Sequence, residues 1–171
     1  NVGGILLEKL VIKGGNQLNG RVRVSSAKNA VLPIIAATLL ASTPSKLLEI
    51  PNLEDVGTIS QVIESLGVKI TRNEADDEII FDASMLTATE APYELVRKMR
   101  ASFLVMGPLL ARKGEAKISM PGGCAIGARP IDLHLKAFEA LGAKIEITED
   151  YVYAHAPEGL QGTQIYLDFP S

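Results

Sequence analysis

The sequence has 171 residues, of which 47% are hydrophobic and 22% charged, so it is long enough for one domain with a sizeable core. This apolar content excludes intrinsic disorder, and 17 basic against 20 acidic residues argue against a general nucleic-acid binder. The single cysteine excludes an intramolecular disulfide, which fits a reducing cytoplasmic compartment. The longest apolar run, residues 29–41, is too short for a membrane span, which needs roughly 20 residues.

The first predicted elements are two short strands, residues 10–13 and 21–24, on either side of the turn-rich segment GGNQLNG. The apolar run at residues 29–41 predicts a buried helix. Pro33 is compatible with that helix only if it lies in the first turn, where its missing N–H removes no helical bond.

The middle of the chain predicts a strand at residues 46–50 and then a helix that Asp55 caps and Gly67 ends. Alternating residues at 68–71 and 78–82 predict a hairpin.

The remaining elements alternate between helix and strand. Ala91 and Pro92 open a predicted helix that extends to about Pro108, and a second helix is expected at residues 130–141. The strands predicted in this half are residues 117–120, 143–148, 151–155 and 164–168. Because the chain stops directly after the last of these strands, we expect it to be part of a longer protein.

An internal repeat links the two halves of the chain. The segment LGVKI at residues 66–70 recurs as LGAKI at residues 141–145, and each copy follows a predicted helix and leads into a predicted hairpin. Upstream, VRVSSAKNA resembles KISMPGGCA as a strand followed by a loop of small residues. The sequence therefore predicts a duplicated α/β unit of strand, helix, strand, helix and strand pair.

The segment PGGCAIGARP, residues 121–130, is the main candidate for chemistry. Its glycines and prolines predict a loop whose backbone can approach a ligand or close over one. Cys124 would be a useful acid or nucleophile if a nearby cation such as Arg129 lowered its pKa, and it would otherwise be a small apolar filler. The glycines beside it favour the functional interpretation.

A second candidate is Lys28-Asn29, where a loop of small residues meets a predicted helix N-terminus. Free N–H groups, the helix dipole and an ammonium group together favour an anion. A surface lysine followed by a capping asparagine explains the same pattern equally well. Arg100 stands out among the basic residues because it precedes Ala101 and Ser102, whereas His134 is interpreted as a satisfied surface or core histidine. No metal-ligand spacing, catalytic triad or Walker loop is present in the sequence.

Four segments carry a resemblance to a known family: SSAKNAVLPI, APYELVRKMRAS, PGGCAIGARPIDLH and LGAKIEI. They resemble the UDP-N-acetylglucosamine 1-carboxyvinyltransferases, the MurA group of enolpyruvyl transferases, in order over residues 10–171. The 5-enolpyruvylshikimate-3-phosphate synthases are similar in fold but lack the cysteine loop, which makes that relationship the less favoured one.

The resemblance implies an α/β fold, an inside-out α/β barrel of the enolpyruvyl-transferase type built from repeated βαβαββ units in two domains. Residues 1–27 would supply strands to the second domain. Residues 28–171 would form a partial first domain of about two units, which carries the cysteine loop. Family members are more than twice as long, so a C-terminal half with a catalytic aspartate would be missing here.

The implied reaction is the transfer of enolpyruvyl from phosphoenolpyruvate to the 3-hydroxyl of UDP-N-acetylglucosamine with release of phosphate. This reaction would be the first committed step of peptidoglycan synthesis in the cytoplasm, and it would thereby serve cell shape and cell division. The enzyme would need no cofactor or metal and would bind no membrane or nucleic acid. Fosfomycin would inhibit it covalently. The alternative is a non-catalytic fragment that binds the UDP-sugar or is only structural.

The resemblance also implies a role for each site residue. Cys124 would be the general acid and the site of fosfomycin alkylation, while Lys28 and Asn29 would hold phosphoenolpyruvate and the region of the reacting hydroxyl. Arg100 would contact the nucleotide sugar and Arg129 the phosphates. The uridine pocket would be formed by Pro130, Ile131, Asp132, Leu133 and Ser171. One departure is Ser26, which stands where the family has glycine and would be strained if its φ had to be positive.

Overall fold

The computed structural model describes residues 11–73, 77–97, 99–120 and 131–167. The helices in these ranges are α1 (Lys28–Ala37), α2 (Glu54–Ser65), α3 (Tyr93–Val96), α4 (Met106–Lys113) and α5 (Asp132–Ala140), with 3-10 segments at Thr38–Leu40 and Arg100–Val105. The strands are β1 (Ser45–Leu48), β2 (Lys69–Asn73), β3 (Glu78–Asp82), β4 (Glu115–Ser119), β5 (Lys144–Ile147) and β6 (Tyr151–His155).

The strands form two three-stranded antiparallel sheets with the same order. In the first sheet β3 lies between β1 and β2, and in the second β6 lies between β4 and β5. Ile80 faces Lys46 on one side and Thr71 on the other, just as Val152 faces Ile118 and Ile147. Each sheet is therefore built from a strand, a helix and a hairpin, which confirms the internal repeat.

The repeat differs from the predicted one at its upstream end. By sheet order, β4 is the equivalent of β1, so the predicted match between residues 117–120 and residues 21–24 is wrong. The described residues 11–27 contain no strand, and neither do residues 161–167. A strand needs hydrogen-bonding neighbours and a surface for its apolar face, and the structure gives the N-terminal segment neither. Its apolar side chains are 78–93% exposed: Val11, Ile12, Leu18, Val22 and Val24.

Helix α1 confirms the predicted helix but not the position of its proline. Val31, Leu32, Ile35 and Ala36 form one buried face, as the spacing of an amphipathic helix requires. Pro33 is the sixth residue of the helix, beyond the first turn, and it is exposed. Solvent on that side can hydrate the carbonyl that the missing N–H leaves without a donor, and this explains why the proline is accommodated.

The helix predicted from Ala91 to Pro108 is interrupted. Met99 is extended, with φ −146° and ψ 118°, and separates α3 from the 3-10 segment and α4. Pro108 is the third residue of α4 and thus begins a helix where the sequence analysis ended one. A proline in the first turn removes no helical hydrogen bond, whereas the same proline inside a continuous helix would break it.

The helices lie on the inner faces of the two sheets, and the outer faces are more exposed. Along β3, β4 and β6 every second residue is buried, while α1 and α2 pack against each other and α4 packs against β4. One continuous core results, and its largest fully buried side chains include Phe81, Ile35, Leu39, Ile59, Ile63, Leu109, Leu110 and Ile118. This arrangement confirms the α/β class.

Arg112 on α4 joins the second repeat to the first. Its Nη1 lies 2.8–2.9 Å from the carbonyl oxygens of Leu39, Ala41 and Ala83. Leu39 and Ala83 are completely buried, so water does not replace this donor. The guanidinium therefore satisfies backbone acceptors at the end of the first helical segment and just after β3.

Replacing Arg112 with methionine should keep the packing of the side-chain stem and remove the donor. We expect the free energy of unfolding to fall by about 3 kcal/mol, because each buried carbonyl left without a donor costs about 1–3 kcal/mol. Urea unfolding followed by circular dichroism measures this loss. Arg97→Met is the control, since Arg97 is 54% exposed and its contacts, Glu94 at 3.8 Å and the Tyr93 ring centroid at 5.6 Å, belong to its own helical turn. Equal effects of the two substitutions would contradict the role given to Arg112.

The glycines that end α2 and α5 give a second prediction. Gly67 and Gly142 occupy equivalent places in the repeat and both have positive φ, 101° and 95°. A Cβ at Gly67 would lie 2.5 Å from Thr87 Oγ1 and 2.8 Å from the Met85 carbonyl, whereas a Cβ at Gly142 would meet nothing within 4 Å. Only the first position therefore combines backbone strain with a steric clash.

We expect Gly142→Ala to lower the free energy of unfolding by about 1–2 kcal/mol, the cost of a left-handed alanine. Gly67→Ala should cost about 1–3 kcal/mol more, since the backbone carbonyl of Met85 has to move. Parallel urea titrations of the two variants isolate the steric part. Equal losses of unfolding free energy in the two variants would show that the segment after β3 moves aside at no energetic cost.

Candidate functional site

The first candidate site lies at the beginning of α1. Ala27 is the residue before the helix and has extended backbone angles, and its carbonyl accepts the N–H groups of Ala30 and Val31 at 3.1 and 3.0 Å. The N–H groups of Lys28 and Asn29 thus precede the first bonds of the helix, as N-terminal groups do. Asn29 does not cap the helix, because it is the second helical residue and no side chain caps α1. The interpretation of Asn29 as a cap is therefore wrong.

Lys28 forms an ion pair with Asp55, in which the ammonium Nζ contacts carboxylate Oδ2. Its side chain is 53% exposed and that of Asp55 is 29% exposed. Asp55 does not cap α2, as the sequence analysis expected. It is the second residue of the helix, and Leu53 before the helix makes no side-chain cap. The carboxylate instead holds the ammonium at the point where α1 and α2 pack.

Asp55 is thus a site residue that the sequence analysis missed. The sequence does contain a signal for Asp55, because it is an acidic residue in the first turn of a predicted helix. From there its side chain can contact a basic residue at the start of a neighbouring helix. The signal only becomes specific once the packing of α1 against α2 is known.

Ser26 does not carry the strain that glycine would relieve. Among the described residues, the non-glycine positions with positive φ are Glu49 and Asp77, so the backbone at Ser26 is an ordinary one. Its hydroxyl donates a 2.8 Å hydrogen bond to the Glu49 carbonyl, and Arg23 forms an ion pair with the Glu49 carboxylate. The segment that enters α1 is therefore attached to the connection between β1 and α2.

The second candidate site is the beginning of α5. Asp132 is the first residue of the helix and is exposed, while Leu133 is half-buried. Ile131 is 7% exposed, and its carbonyl accepts the N–H groups of His134 and Leu135. The His134 ring packs edge-on against Phe103, with 5.9 Å between ring centroids, and this contact agrees with a structural role for the histidine.

The remaining predicted site residues are Cys124, Arg129, Pro130 and Ser171, which lie outside the described residues. Arg100 begins the 3-10 segment Arg100–Val105, which packs against α1. In that segment Ser102 is completely buried and its Oγ has no hydrogen-bond partner among the described residues. The structure thus brings the segment that Arg100 begins to the helix that carries Lys28 and Asn29.

Among the residues that the structure describes, two groups have shifted pKa values, and both belong to the sheets. Hydrogen bonds from the side chain and the N–H of Ser84 lower the pKa of Asp82 at the end of β3. The hydroxyl of Tyr153 donates a 3.0 Å hydrogen bond to Glu115, and this bond raises the pKa of Tyr153. Each shift has a local structural cause and points to no catalytic role.

Within the described ranges, no group of three or more histidine, cysteine, aspartate or glutamate residues could hold a metal ion. No helix in the same ranges is both long and apolar enough to cross a membrane.

The sequence model of the EPSP synthase (3-phosphoshikimate 1-carboxyvinyltransferase) family matches residues 12–171. The chain belongs to this family. Within it, the chain is 59% identical over 165 residues to UDP-N-acetylglucosamine 1-carboxyvinyltransferase 2 of Carboxydothermus hydrogenoformans, covering 96% of this chain and 39% of that protein. It is 56% identical over 166 residues to UDP-N-acetylglucosamine 1-carboxyvinyltransferase 1 of Staphylococcus aureus strain N315, with the same coverage.

A solved structure of the family supports the fold. The enolpyruvyl transferase NikO from Streptomyces tendae superposes with a TM-score of 0.70 at 26% identity, over 86% of this chain and 32% of that one. The resemblance and the enolpyruvyl-transferase fold predicted from the sequence are therefore confirmed. The chain spans about 39% of the length of the curated relatives it matches.

The exposure of the Lys28–Asp55 pair predicts that it contributes little to stability. We expect Asp55→Asn to change the free energy of unfolding by less than about 1 kcal/mol, as is usual for solvent-screened ion pairs. Glu78→Gln is the comparison, because Glu78 is only 10% exposed and accepts Lys46 at 2.8 Å, so its loss should cost more. A loss above about 2 kcal/mol for Asp55→Asn would assign this residue to the scaffold rather than to the site.

Proposed function

We propose that this chain is the N-terminal part of an enzyme that transfers enolpyruvyl from phosphoenolpyruvate to the 3-hydroxyl of UDP-N-acetylglucosamine and releases phosphate. The observation that carries the proposal is the exposed ammonium of Lys28 at the start of α1. It occurs in a chain 56–59% identical to proteins named for that transfer.

The start of α1 has the chemistry that two anionic substrates require. Phosphoenolpyruvate and a nucleotide sugar repel each other, so a site that joins them needs cations and hydrogen-bond donors. Lys28 supplies an ammonium, and the N–H groups at the beginning of a ten-residue helix add donors and the positive end of the dipole. Asp55 keeps the ammonium in place before an anion arrives.

The remaining roles in this proposal come from the family motif. Cys124 donates a proton to the methylene carbon of phosphoenolpyruvate, while the sugar hydroxyl gives its proton to the catalytic aspartate of the C-terminal half and its oxygen bonds to the adjacent carbon. Phosphate then leaves from that carbon as the new methyl group loses a proton, which restores the enolpyruvyl double bond. The protonation by Cys124 creates a cationic centre. The reaction therefore needs a positioned acid and a closed site from which water is excluded. Arg129 neutralises phosphate and Arg100 contacts the nucleotide sugar. The uridine lies against Pro130, Ile131, Asp132, Leu133 and Ser171.

We place the N-terminal residues 1–27 in the second domain of the longer protein and residues 28–171 in the first. The support is the N-terminal segment itself, whose valine, isoleucine and leucine side chains are exposed along residues 11–24. Such residues become stable strands when a sheet covers them. The enzyme acts in the cytoplasm, where both substrates occur and the cysteine stays reduced, and fosfomycin alkylates Cys124.

The alternative is a fragment without catalytic activity, and it is favoured by the small share of the relatives' length that the chain covers. At 39% coverage, the chain by itself could bind the UDP-sugar without turning it over, or act only as part of the scaffold. Titration calorimetry with the chain distinguishes these cases: binding of UDP-N-acetylglucosamine without release of phosphate from phosphoenolpyruvate supports the binding fragment.

The activity is tested in the protein that continues this chain to the length of its relatives. Wild-type protein should release phosphate from phosphoenolpyruvate with UDP-N-acetylglucosamine as acceptor and not with 3-phosphoshikimate. Lys28→Met should lower kcat/KM for phosphoenolpyruvate about 100-fold, in line with the loss of one preorganised charged donor. Lys144→Met is the matched control, because Lys144 is exposed on β5 of the second sheet and should leave the rate unchanged.

A second measurement tests the thiol. Intact-mass analysis after fosfomycin treatment should show one adduct in wild-type protein, formed faster with UDP-N-acetylglucosamine, and none in Cys124→Ala. Phosphate release that persists at a near-normal rate in Cys124→Ala would contradict the role of Cys124. An absence of phosphate release with either acceptor in the wild-type protein would contradict the proposed function itself.

A further inference from the structure

Glu49 has an unusual backbone for a glutamate. It lies directly after β1 with φ 55°, in the left-handed region, and Asp77 opposite has φ 49°. The N–H of Glu49 donates a 3.0 Å hydrogen bond to the Asp77 carbonyl, which couples the two positions. Residues other than glycine adopt this conformation only where their surroundings hold them in it, and such residues are concentrated at functional sites.

Glu49 holds the segment that enters α1 through two contacts, which we call the Glu49 clasp. Its carbonyl accepts the hydroxyl of Ser26 at 2.8 Å, and its carboxylate forms an ion pair with Arg23. With its φ positive, Glu49 contacts the same neighbouring segment with both its main-chain carbonyl and its side chain. A glycine at position 26 would lack the hydroxyl, so the clasp is specific to the serine found here.

The clasp lies beside Lys28 in the chain and in the structure. Ser26 is separated from Lys28 by Ala27 alone, and Glu49 belongs to the connection that leads to α2 and Asp55. The entering segment is therefore attached at two places, to the β1–α2 connection by the clasp and to the first turn of α2 by the Lys28–Asp55 pair. A cleft of about 590 Å³ opens beside it, and its lining includes Arg23, Ser26, Glu49 and Asp77.

We propose that Ser26 and Glu49 are positioning residues for Lys28, which fix the direction in which the chain enters α1 and so place the ammonium for phosphoenolpyruvate. The proposal rests on the proposed function. It concerns geometry rather than stability, because Arg23 is 81% and Glu49 59% exposed and solvent screens their attraction. The buried face of α1 holds the helix in place without the clasp.

The kinetic test uses the full-length enzyme. Ser26→Ala removes the hydroxyl and should raise KM for phosphoenolpyruvate about three- to fivefold, with KM for UDP-N-acetylglucosamine unchanged, the scale on which one neutral hydrogen bond acts. Ser26→Thr restores a hydroxyl and should stay within about twofold of wild type. Ser42→Ala, at an exposed serine outside the clasp, is the control. Wild-type turnover with no change in Ser26→Ala overturns the proposal and leaves the proposed function standing.

Hydrogen exchange tests the geometry independently of activity. In Ser26→Ala and Glu49→Gln the amides of Ala30 and Val31, which bond to the Ala27 carbonyl, should exchange about three to ten times faster than in wild type, since local opening becomes easier by a similar factor. The amides of β4, β5 and β6 and the urea midpoint should not change. Unchanged exchange at Ala30 and Val31 overturns the proposal, and so does a general loss of stability, which would make the clasp a structural contact.

Discussion

Polar side chains of α4 direct the contact between the two repeats, above all the guanidinium of Arg112, next to which Lys113 Nζ donates a 3.2 Å hydrogen bond to the Leu86 carbonyl. Arg112 belongs to the second repeat, and the three carbonyls around its Nη1 belong to the first, at the end of the α1 segment and after β3. Apolar packing alone would let α4 slide, because it has no direction. Three short polar contacts to fixed backbone atoms remove that freedom. The 3-10 segment that precedes α4 packs against α1, so the same contacts also fix what surrounds the start of α1.

Local patterns determined most of the fold, and the sequence was sufficient where an element stabilises itself against its neighbours in the chain. The hairpins β2–β3 and β5–β6 follow from alternation, and the glycines at 67 and 142 end their helices with positive φ. The predictions of strands at residues 21–24 and 164–168 were wrong for the described residues, because a strand needs a partner, which residues 21–24 and 164–167 do not have in the structure. The prediction of one helix over residues 91–108 was wrong for a different reason. The apolar spacing of these residues fits one long helix as well as it fits two helices separated at Met99.

The candidate site divides along the same line. Lys28 and Asn29 are visible from sequence because a small-residue loop before a helix is a local signal, and Cys124 because of its motif. Asp55 and Glu49 are not, since their contacts join distant parts of the chain: the Ser26–Glu49 bond spans 23 positions and the Arg23–Glu49 pair spans 26. The positive φ of Glu49 has no sequence signal either, because glutamate rarely adopts it.

The exposure of the site explains why its cations are paired but not strongly held. Two opposite charges 4 Å apart attract by about 1 kcal/mol in water and about 4 kcal/mol at an effective dielectric constant of 20. With its side chain 53% exposed, Lys28 works near the weaker limit, toward Asp55 and toward any anionic substrate alike. Under the proposed function, exclusion of water around α1 moves Lys28 toward the stronger limit. Substrate binding and exclusion of water are then one event, and the clasp and Asp55 serve to have the ammonium already in place when it occurs.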